Sequence, residues 1–371
     1  MQRIPARIGD PLAAVETPAL VVDLDAFEHN LDLMANAVRG SGLALRPHAK
    51  SHKCVEIAKA QVARGAIGIC CQKVDEAAVF VAAGIANVLL TNEVVTPAKM
   101  ARLAALAQSA TVGVLVDDIR VIDDLSAAAT MAGGTLHVYV EIDVGAHRCG
   151  VAPGAAAVPI AQAAAGAPGL RFRGLHAYQG AAQHLRKPEE RRAAIAHAAK
   201  LSAATKKLVE AAGVACPVIT GAGTGTWQLE RDSRVYTELQ AGSYIFMDAD
   251  YGRNALAPDE HAFEHSLYVL STIMSLPTPE RAVVDAGLKA LAFDSGPPVV
   301  HAARGLTYDK GSDEHGVLTV DQREAQPSLG DRVWLIPGHC DPTVNLYDWI
   351  VGMRGDRVEC VWPVSARGAV G

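Results

Sequence analysis

The stretch VGVLV at residues 112–116, followed by an alanine-rich segment and then LHVYVEID at 136–143, decides the fold of this chain. Each flank is a short β-branched run of the kind that forms a strand. The segment between them carries a helical pattern. The same alternation runs from residue 19 to about residue 220, with strand-like runs at 19–24, 44–49, 67–71, 88–91, 112–116, 136–143, 172–178 and 217–220. Several of these runs are continuously apolar, as expected where both faces of a strand are buried. In the first intervening segment Phe27, Leu31, Met34 and Val38 fall on one helical face, and Gly40 supplies the stop. Eight such units predict an α/β chain built around a (β/α)₈ barrel; an open, doubly wound sheet has the same periodicity.

After about residue 255 the texture changes. Strand-like runs at 266–275, 281–284, 317–320, 332–336 and 358–362 are separated by Gly, Pro and Asp turns, with no long helical pattern. A length of 371 residues exceeds what one simple core usually organises. The expected division is a barrel over 17–255 and a β-rich domain made of 1–16 and 256–371.

Half of the residues are apolar and 20% are charged, a globular composition. A net charge of −6 and the lack of a basic cluster interleaved with aromatics argue against nucleic acid as a partner. The apolar runs are broken before they reach membrane-spanning length, and the N-terminal residues lack a secretory core. Seven scattered cysteines with no Cys-x-x-Cys suggest reduced thiols in a cytoplasmic protein.

Barrel enzymes carry their chemistry at the C-terminal ends of the strands. The second strand-like run leads into Arg46-Pro47-His48-Ala49-Lys50, and the third into Cys70-Cys71-Gln72-Lys73. The sixth ends in Glu141-Ile142-Asp143-Val144-Gly145-Ala146-His147-Arg148-Cys149-Gly150, the seventh in His176-Ala177-Tyr178-Gln179-Gly180, and the eighth in Gly221-Ala222-Gly223-Thr224-Gly225-Thr226. A lysine among cationic neighbours can have its ammonium pKa lowered and form a Schiff base; an exposed or salt-bridged lysine is the plainer reading. The glycine run fits neither the dinucleotide fingerprint nor a P-loop. Its backbone N–H groups and the Thr224 hydroxyl could cradle a phosphate, or the run could simply turn. In Pro337-Gly338-His339-Cys340-Asp341-Pro342, His339 and Asp341 would point the same way from an extended chain and suit one hard divalent ion, Mn²⁺, Mg²⁺ or Co²⁺. An aspartate in a proline-flanked turn beside an unrelated histidine is the alternative.

Taken in order, Arg46–Lys50, the Ile142-Asp143-Val144-Gly145 run with Arg148-Cys149-Gly150, Gly221–Gly225, and Pro337-Gly338-His339-Cys340-Asp341-Pro342-Thr343 resemble the D-threonine aldolases and 3-hydroxy-D-aspartate aldolases. These belong with the eukaryotic-type D-serine dehydratases among the alanine-racemase-like, fold type III pyridoxal-phosphate enzymes. The resemblance extends to Met247-Asp248-Ala249-Asp250-Tyr251-Gly252, Asp285-Ala286-Gly287-Leu288-Lys289 and Trp362–Gly368, nearly the whole chain.

The resemblance implies roles. Lys50 matches the Schiff-base lysine. Gly223, Thr224, Gly225, Gly242 and Ser243 match the residues that hold the cofactor phosphate, with Tyr251 on the phosphate side. Gln72 and Tyr178 match ring contacts, and Arg148 the partner of the pyridine nitrogen. His339 and Asp341 match the metal ligands, His339 also being a proton acceptor, and His184 is a supporting group or a solvent-facing loop histidine. It further implies a homodimer that splits D-3-hydroxy amino acids into glycine and an aldehyde. The dehydratases carry His-x-Cys where this chain has His339-x-Asp341, which favours the aldolase. A dehydratase, an amino-acid racemase and a non-catalytic cofactor-binding protein are the rival readings.

Overall fold

The computed structural model describes residues 3–371; the first two residues of the N-terminal segment expected to join the second domain lie outside that range. In chain order the first elements are β1 (Ala19–Asp23), α1 (Leu24–Val38), β2 (Ala44–Leu45), α2 (Val55–Ala63), β3 (Ile69–Cys71), α3 (Val74–Ala82), β4 (Asn87–Glu93), α4 (Pro97–Leu106), β5 (Thr111–Val116) and α5 (Ile122–Ala132). They continue with β6 (Leu136–Glu141), α6 (Ala157–Gly166), β7 (Leu170–His176), α7 (Pro188–Ala211), β8 (Val218–Gly221), α8 (Trp227–Ser233), β9 (Glu238–Leu239) and α9 (Ala249–Gly252). The C-terminal part gives β10 (Leu267–Thr278), β11 (Arg281–Val284), β12 (Val299–His301), β13 (Leu306–Gly311), β14 (Gly316–Val320), β15 (Arg332–Ile336), α10 (Cys340–Val344), β16 (Trp349–Arg354) and β17 (Arg357–Pro363).

Eight parallel strands follow the order β2-β9-β8-β7-β6-β5-β4-β3. The ring closes between its ends: Ile67 N donates to Leu45 O at 2.9 Å, Cys70 N to Pro47 O at 2.8 Å, and His48 bridges to Cys70. The expected barrel is therefore present, with one change in its strands. The run at 19–24 belongs to the other sheet, where β1 pairs antiparallel with β10 and parallel with β16. Its place in the ring is taken by β9, two residues that no periodicity argument can detect. β1 is apolar throughout because it is a central strand, and a doubly buried run reads alike in either sheet. Every barrel strand after it therefore moves down one place, and Lys50 follows the first strand of the ring.

β9 is held by more than its backbone. Arg46 Nε and Nη2 each donate to the Glu238 carboxylate at 3.0 Å, in a buried bidentate pair, and Thr220 Oγ1 donates to the same carboxylate at 2.7 Å. These contacts fasten β9 between β2 and β8 inside the barrel.

The second sheet runs β13-β14-β11-β10-β1-β16-β17, with β15 joining β10 to β12. Helix α1 lies between the two units. Its N-terminus is capped by the Asp23 carboxylate, which accepts from Asp25 N and Ala26 N. Phe27, Leu31 and Met34 are buried in a cluster with Tyr244, Phe246 and Leu267, each such side chain contributing about 1.5–3 kcal/mol. Gly40, at φ +72°, follows the helix in the left-handed conformation that ends it. Among the described residues no helix is long and apolar enough to cross a membrane.

The two units meet above the C-terminal ends of the barrel strands. Ala249 N donates to Pro337 O at 2.9 Å and Asp250 N to Gly338 O at 3.2 Å, so the loop after β15 is stitched to α9. That seam carries the site.

Candidate active site

The chain leaves β2 through Arg46-Pro47-His48 and makes a single 3₁₀ turn, Ala49–Ser51, that presents Lys50. His48 orders this turn. Its Nδ1 accepts from Lys50 N at 3.3 Å, while Nε2 meets Thr91 Oγ1 at 2.8 Å and Gln72 Oε1 at 3.1 Å. Gln72 is fixed in turn by donation from its Nε2 to Thr91 O at 3.1 Å. Burial, and then the charge of Lys50, push the His48 imidazole well below its ordinary value, so it is a neutral neighbour.

Lys50 Nζ is ion-paired with Asp341 Oδ2, and 44% of the lysine side chain remains open to the cavity. Burial works to lower its ammonium pKa, and Asp341 overrides that effect and raises it. Of the two readings of Lys50, the salt-bridged lysine is the one found and the lowered pKa is not, since the dominant neighbour is an anion supplied by the other domain. Asp341 is held well below the ordinary carboxylate range: burial opposes ionisation, and Lys50 and then His339 outweigh it. Ser243 Oγ donates to its Oδ1 at 3.1 Å and Cys340 Sγ to the same atom at 3.3 Å.

The glycine run after β8 forms the opposite wall. A Cβ on Gly223 would come within 2.4 Å of Gln183 Oε1, and one on Gly242 within 2.5 Å of the His48 carbonyl oxygen. At Gly242 the obstacle is backbone and only glycine fits, whereas at Gly223 a larger residue would displace the end of the Gln183 side chain. Thr224 Oγ1 is buried and has no partner. Gly225 N donates to Gln183 Oε1 at 2.9 Å.

Lys50, Gln72, Arg148 and Tyr178 face one cavity with Gly223 and Thr224; Gly242, Ser243 and Tyr251 complete its rim. Gly225 lines the adjoining cavity instead, with its N–H already engaged. His339 and Asp341 approach from the second domain without lining either cavity.

Arg148 stands over the Tyr178 ring, 5.8 Å from guanidinium carbon to centroid, with Nη2 3.5 Å from Glu141 Oε1. His176 Nδ1 lies 3.6 Å from the same oxygen, and its Nε2 is 3.2 Å from Gln240 Oε1. Burial would raise the Glu141 carboxyl, but His176 holds it low. Glu93 beside it is pushed up to about 7 by burial and by Glu141.

In the second domain His339 is extended at φ −142°, ψ 124°, whereas Asp341 already sits in the first turn of α10. The extended-chain argument for their pairing does not hold, because the helix begins at Cys340. His339 Nδ1 is 2.6 Å from Asp294 Oδ2. Asp248 accepts from Cys340 N and Tyr251 N, both at 2.9 Å, and so couples α10 to α9. No group of three or more His, Cys, Asp or Glu side chains that could hold a metal occurs among the described residues.

His184 faces solvent, as one of its two readings expected, but it is also held in place. Its Nδ1 is 2.6 Å from Asp250 Oδ2, and its ring stacks on Tyr251 at 6.5 Å and 23°. Sequence reasoning gave no role to Asp294, Asp248, Gln183 or Glu141. Glu141 and Asp248 lay inside quoted motifs, and a charge ending an apolar strand was the available signal for Glu141. Gln183 and Asp294 stand in no pattern at all.

The sequence matches two family models: "Alanine racemase, N-terminal domain" over residues 22–250, and "Putative serine dehydratase domain" over 266–353. It is 50% identical to a D-threonine aldolase of Arthrobacter sp over 364 residues, covering 98% of this chain and 96% of the relative. It is 48% identical to a 3-hydroxy-D-aspartate aldolase of Paracoccus denitrificans (strain Pd 1222), covering 98% and 95%. A crystal structure of D-threonine aldolase from Filomicrobium marinum superposes with a TM-score of 0.97 at 51% identity, covering 99% of this chain and all of that one.

Proposed function

The chain belongs to the D-threonine aldolase family of alanine-racemase-like lyases, and from this premise we propose that it uses pyridoxal phosphate and a divalent metal to split the Cα–Cβ bond of D-3-hydroxy amino acids. D-threonine would give glycine and acetaldehyde; 3-hydroxy-D-aspartate, the alternative substrate, would give glycine and glyoxylate. The observation that carries the reading is Lys50, which lines the cavity walled by the glycine run and there meets Asp341 from the second domain. A cytoplasmic homodimer is part of the reading: the compartment rests on the scattered cysteines and the dimer on the resemblance.

The residues present fit the cofactor. The unpartnered Thr224 hydroxyl and the close-approach glycines Gly223 and Gly242 suit a phosphate, with Ser243 and Tyr251 beside them. Lys50 would carry the aldehyde carbon, and Gln72 and Tyr178 would flank the ring. Arg148, braced by Glu141 and Tyr178, can only donate, so it would leave a ring nitrogen facing it unprotonated. When bound, the cofactor supplies the sink for the electrons released as the Cα–Cβ bond breaks.

The metal is supported by the donor set. An imidazole and a carboxylate suit a hard ion that keeps solvent or substrate oxygens in its remaining positions, namely Mn²⁺, Mg²⁺ or Co²⁺. His339 and Asp341 would hold it, and there it would lower the pKa of the substrate's β-hydroxyl. Asp294 would orient His339 from behind. Asp341 stands where the dehydratases carry their cysteine, which favours aldolase over dehydratase, and the Cys340 thiol between the two ligands donates to it.

A ring nitrogen of His339 bound to a metal cannot also accept a proton. His184, held through Nδ1 by Asp250 and stacked on the cavity residue Tyr251, would then take the β-hydroxyl proton at Nε2. Lys50 Nζ would return a proton to Cα.

The test is chelation. Exhaustive metal removal should suppress turnover of D-threonine while leaving the cofactor's visible absorbance, with Mn²⁺ or Co²⁺ restoring activity. Full turnover in metal-stripped protein would sink this reading.

A further inference from the structure

Behind the glycine run lies a carboxyl group that the proposed chemistry does not use. Glu230, on α8, is fully buried and has no cationic partner among the described residues. Its Oε1 accepts from Thr226 Oγ1 at 2.8 Å, and its Oε2 has no partner. The Thr226 hydroxyl accepts in turn from Gln183 Nε2 at 2.8 Å. The same glutamine takes the Gly225 N–H on Oε1 and packs where a Cβ on Gly223 would be. A continuous line of hydrogen bonds therefore joins Glu230 to the backbone of the run.

We propose that Glu230 is a positioning residue: a neutral acid that fixes Thr226 and Gln183 beneath the glycine run, so that the run presents uncharged support to the phosphate of the cofactor. The inference rests on the reading that the phosphate sits at Gly223 and Thr224. An unpaired buried carboxylate is costly, and a carboxyl group so placed stays protonated instead. Burial pushes Glu230 up to about 8, with the Thr226 hydrogen bond only partly opposing it.

The neighbouring ionisable groups do not supply a counter-charge. Tyr236 on the stretch after α8, and Tyr178 across the cavity, are both raised by burial and stay neutral. From β9, Glu238 is taken up by Arg46. From α7, Arg191 is committed to Glu260 at 3.0 Å, and Arg231 on α8 pairs with Asp232 at 2.7 Å. Ionising Glu230 would thus place an uncompensated negative charge behind the phosphate. By linkage, a bound phosphate raises the pKa of Glu230 further, so affinity for the phosphorylated cofactor falls as the pH rises from the free value to the bound one and levels off above both.

The test uses full-length protein freed of cofactor, titrated with pyridoxal phosphate and with pyridoxal, from pH 7 to 9.5, following the absorbance of the bound form. Pyridoxal shares the lysine chemistry but lacks the phosphate, which is already doubly charged over most of this range. The ratio of the two Kd values should worsen for the phosphorylated form by about tenfold for each unit of pKa that the phosphate adds to Glu230. Glu230→Gln should keep the neutral-pH affinity and flatten that trend. A flat ratio in the unmodified protein, or a Glu230→Gln curve that overlays it, would overturn the proposal. Thr224→Val separates the two failures. It should weaken binding of pyridoxal phosphate but not of pyridoxal; if both are unaffected, the phosphate is not at this run and the underlying reading fails as well.

Discussion

Lys50 and Asp341, 291 residues apart in the chain, form an ion pair that joins the first strand end of the barrel to the second domain. Neither domain alone holds this arrangement. The lysine lies in a short turn set by His48, and the aspartate lies in the first turn of α10, aligned by Ser243 and Cys340. In the proposed function these two side chains separate, one to the cofactor and the other to the metal.

Lys50→Ala should remove the visible absorbance of the bound cofactor and lower activity by more than about a thousandfold. Some stability should go with it, because Asp341 loses its cation. Borohydride reduction followed by peptide mapping checks the assignment: label on Lys53 or Lys73 would contradict it.

Asp294→Ala should reduce Mn²⁺ affinity by about 10–100-fold, since the carboxylate 2.6 Å from His339 Nδ1 is the group that would orient that ligand. Metal titration of the chelator-treated protein measures this. Affinity unchanged within twofold would mean that Asp294 does not orient a metal-bound His339.

The barrel was legible in the sequence because six of its strands, β3 to β8, show an apolar run between helical segments, and the two-residue β2 opens the longer run at 44–49. β9 was not, since two residues held by an Arg46–Glu238 pair carry no pattern. β1 was misplaced because a central strand is apolar in either sheet. The residues around the cavity were legible by resemblance, as they lie in compact motifs at strand ends. Their supports were not, because Gln183, Glu230 and Asp294 reach the site only through tertiary folding. Of the two readings of Lys50 the salt-bridged one holds, but its partner was not legible, because the controlling charge arrives from the other domain.

Acid should destabilise the cofactor-free protein partly through His52. This side chain is fully buried, its Nδ1 accepts from Cys54 N at 3.0 Å, and burial pushes its pKa down to about 3. The folded value lies below the unfolded value of about 6.5, so the unfolded chain takes up the proton first. Stability is complete above that value and is lost as the pH falls toward 3. His52→Asn keeps an acceptor for Cys54 N and should reduce the slope of stability against pH between 5.5 and 4 by about 1.4 kcal/mol per pH unit. Denaturant unfolding across that range measures it; equal slopes would show that His52 is protonated or exposed in the folded state.

The most direct measurement identifies the products formed from D-threonine and from D-3-hydroxyaspartate by the unmodified, metal-loaded protein. The account predicts glycine in equal amount with acetaldehyde or glyoxylate, and little keto acid from either substrate. A keto acid with ammonia as the main product would contradict cleavage of the Cα–Cβ bond and make the chain a dehydratase, with the barrel and Lys50 unchanged.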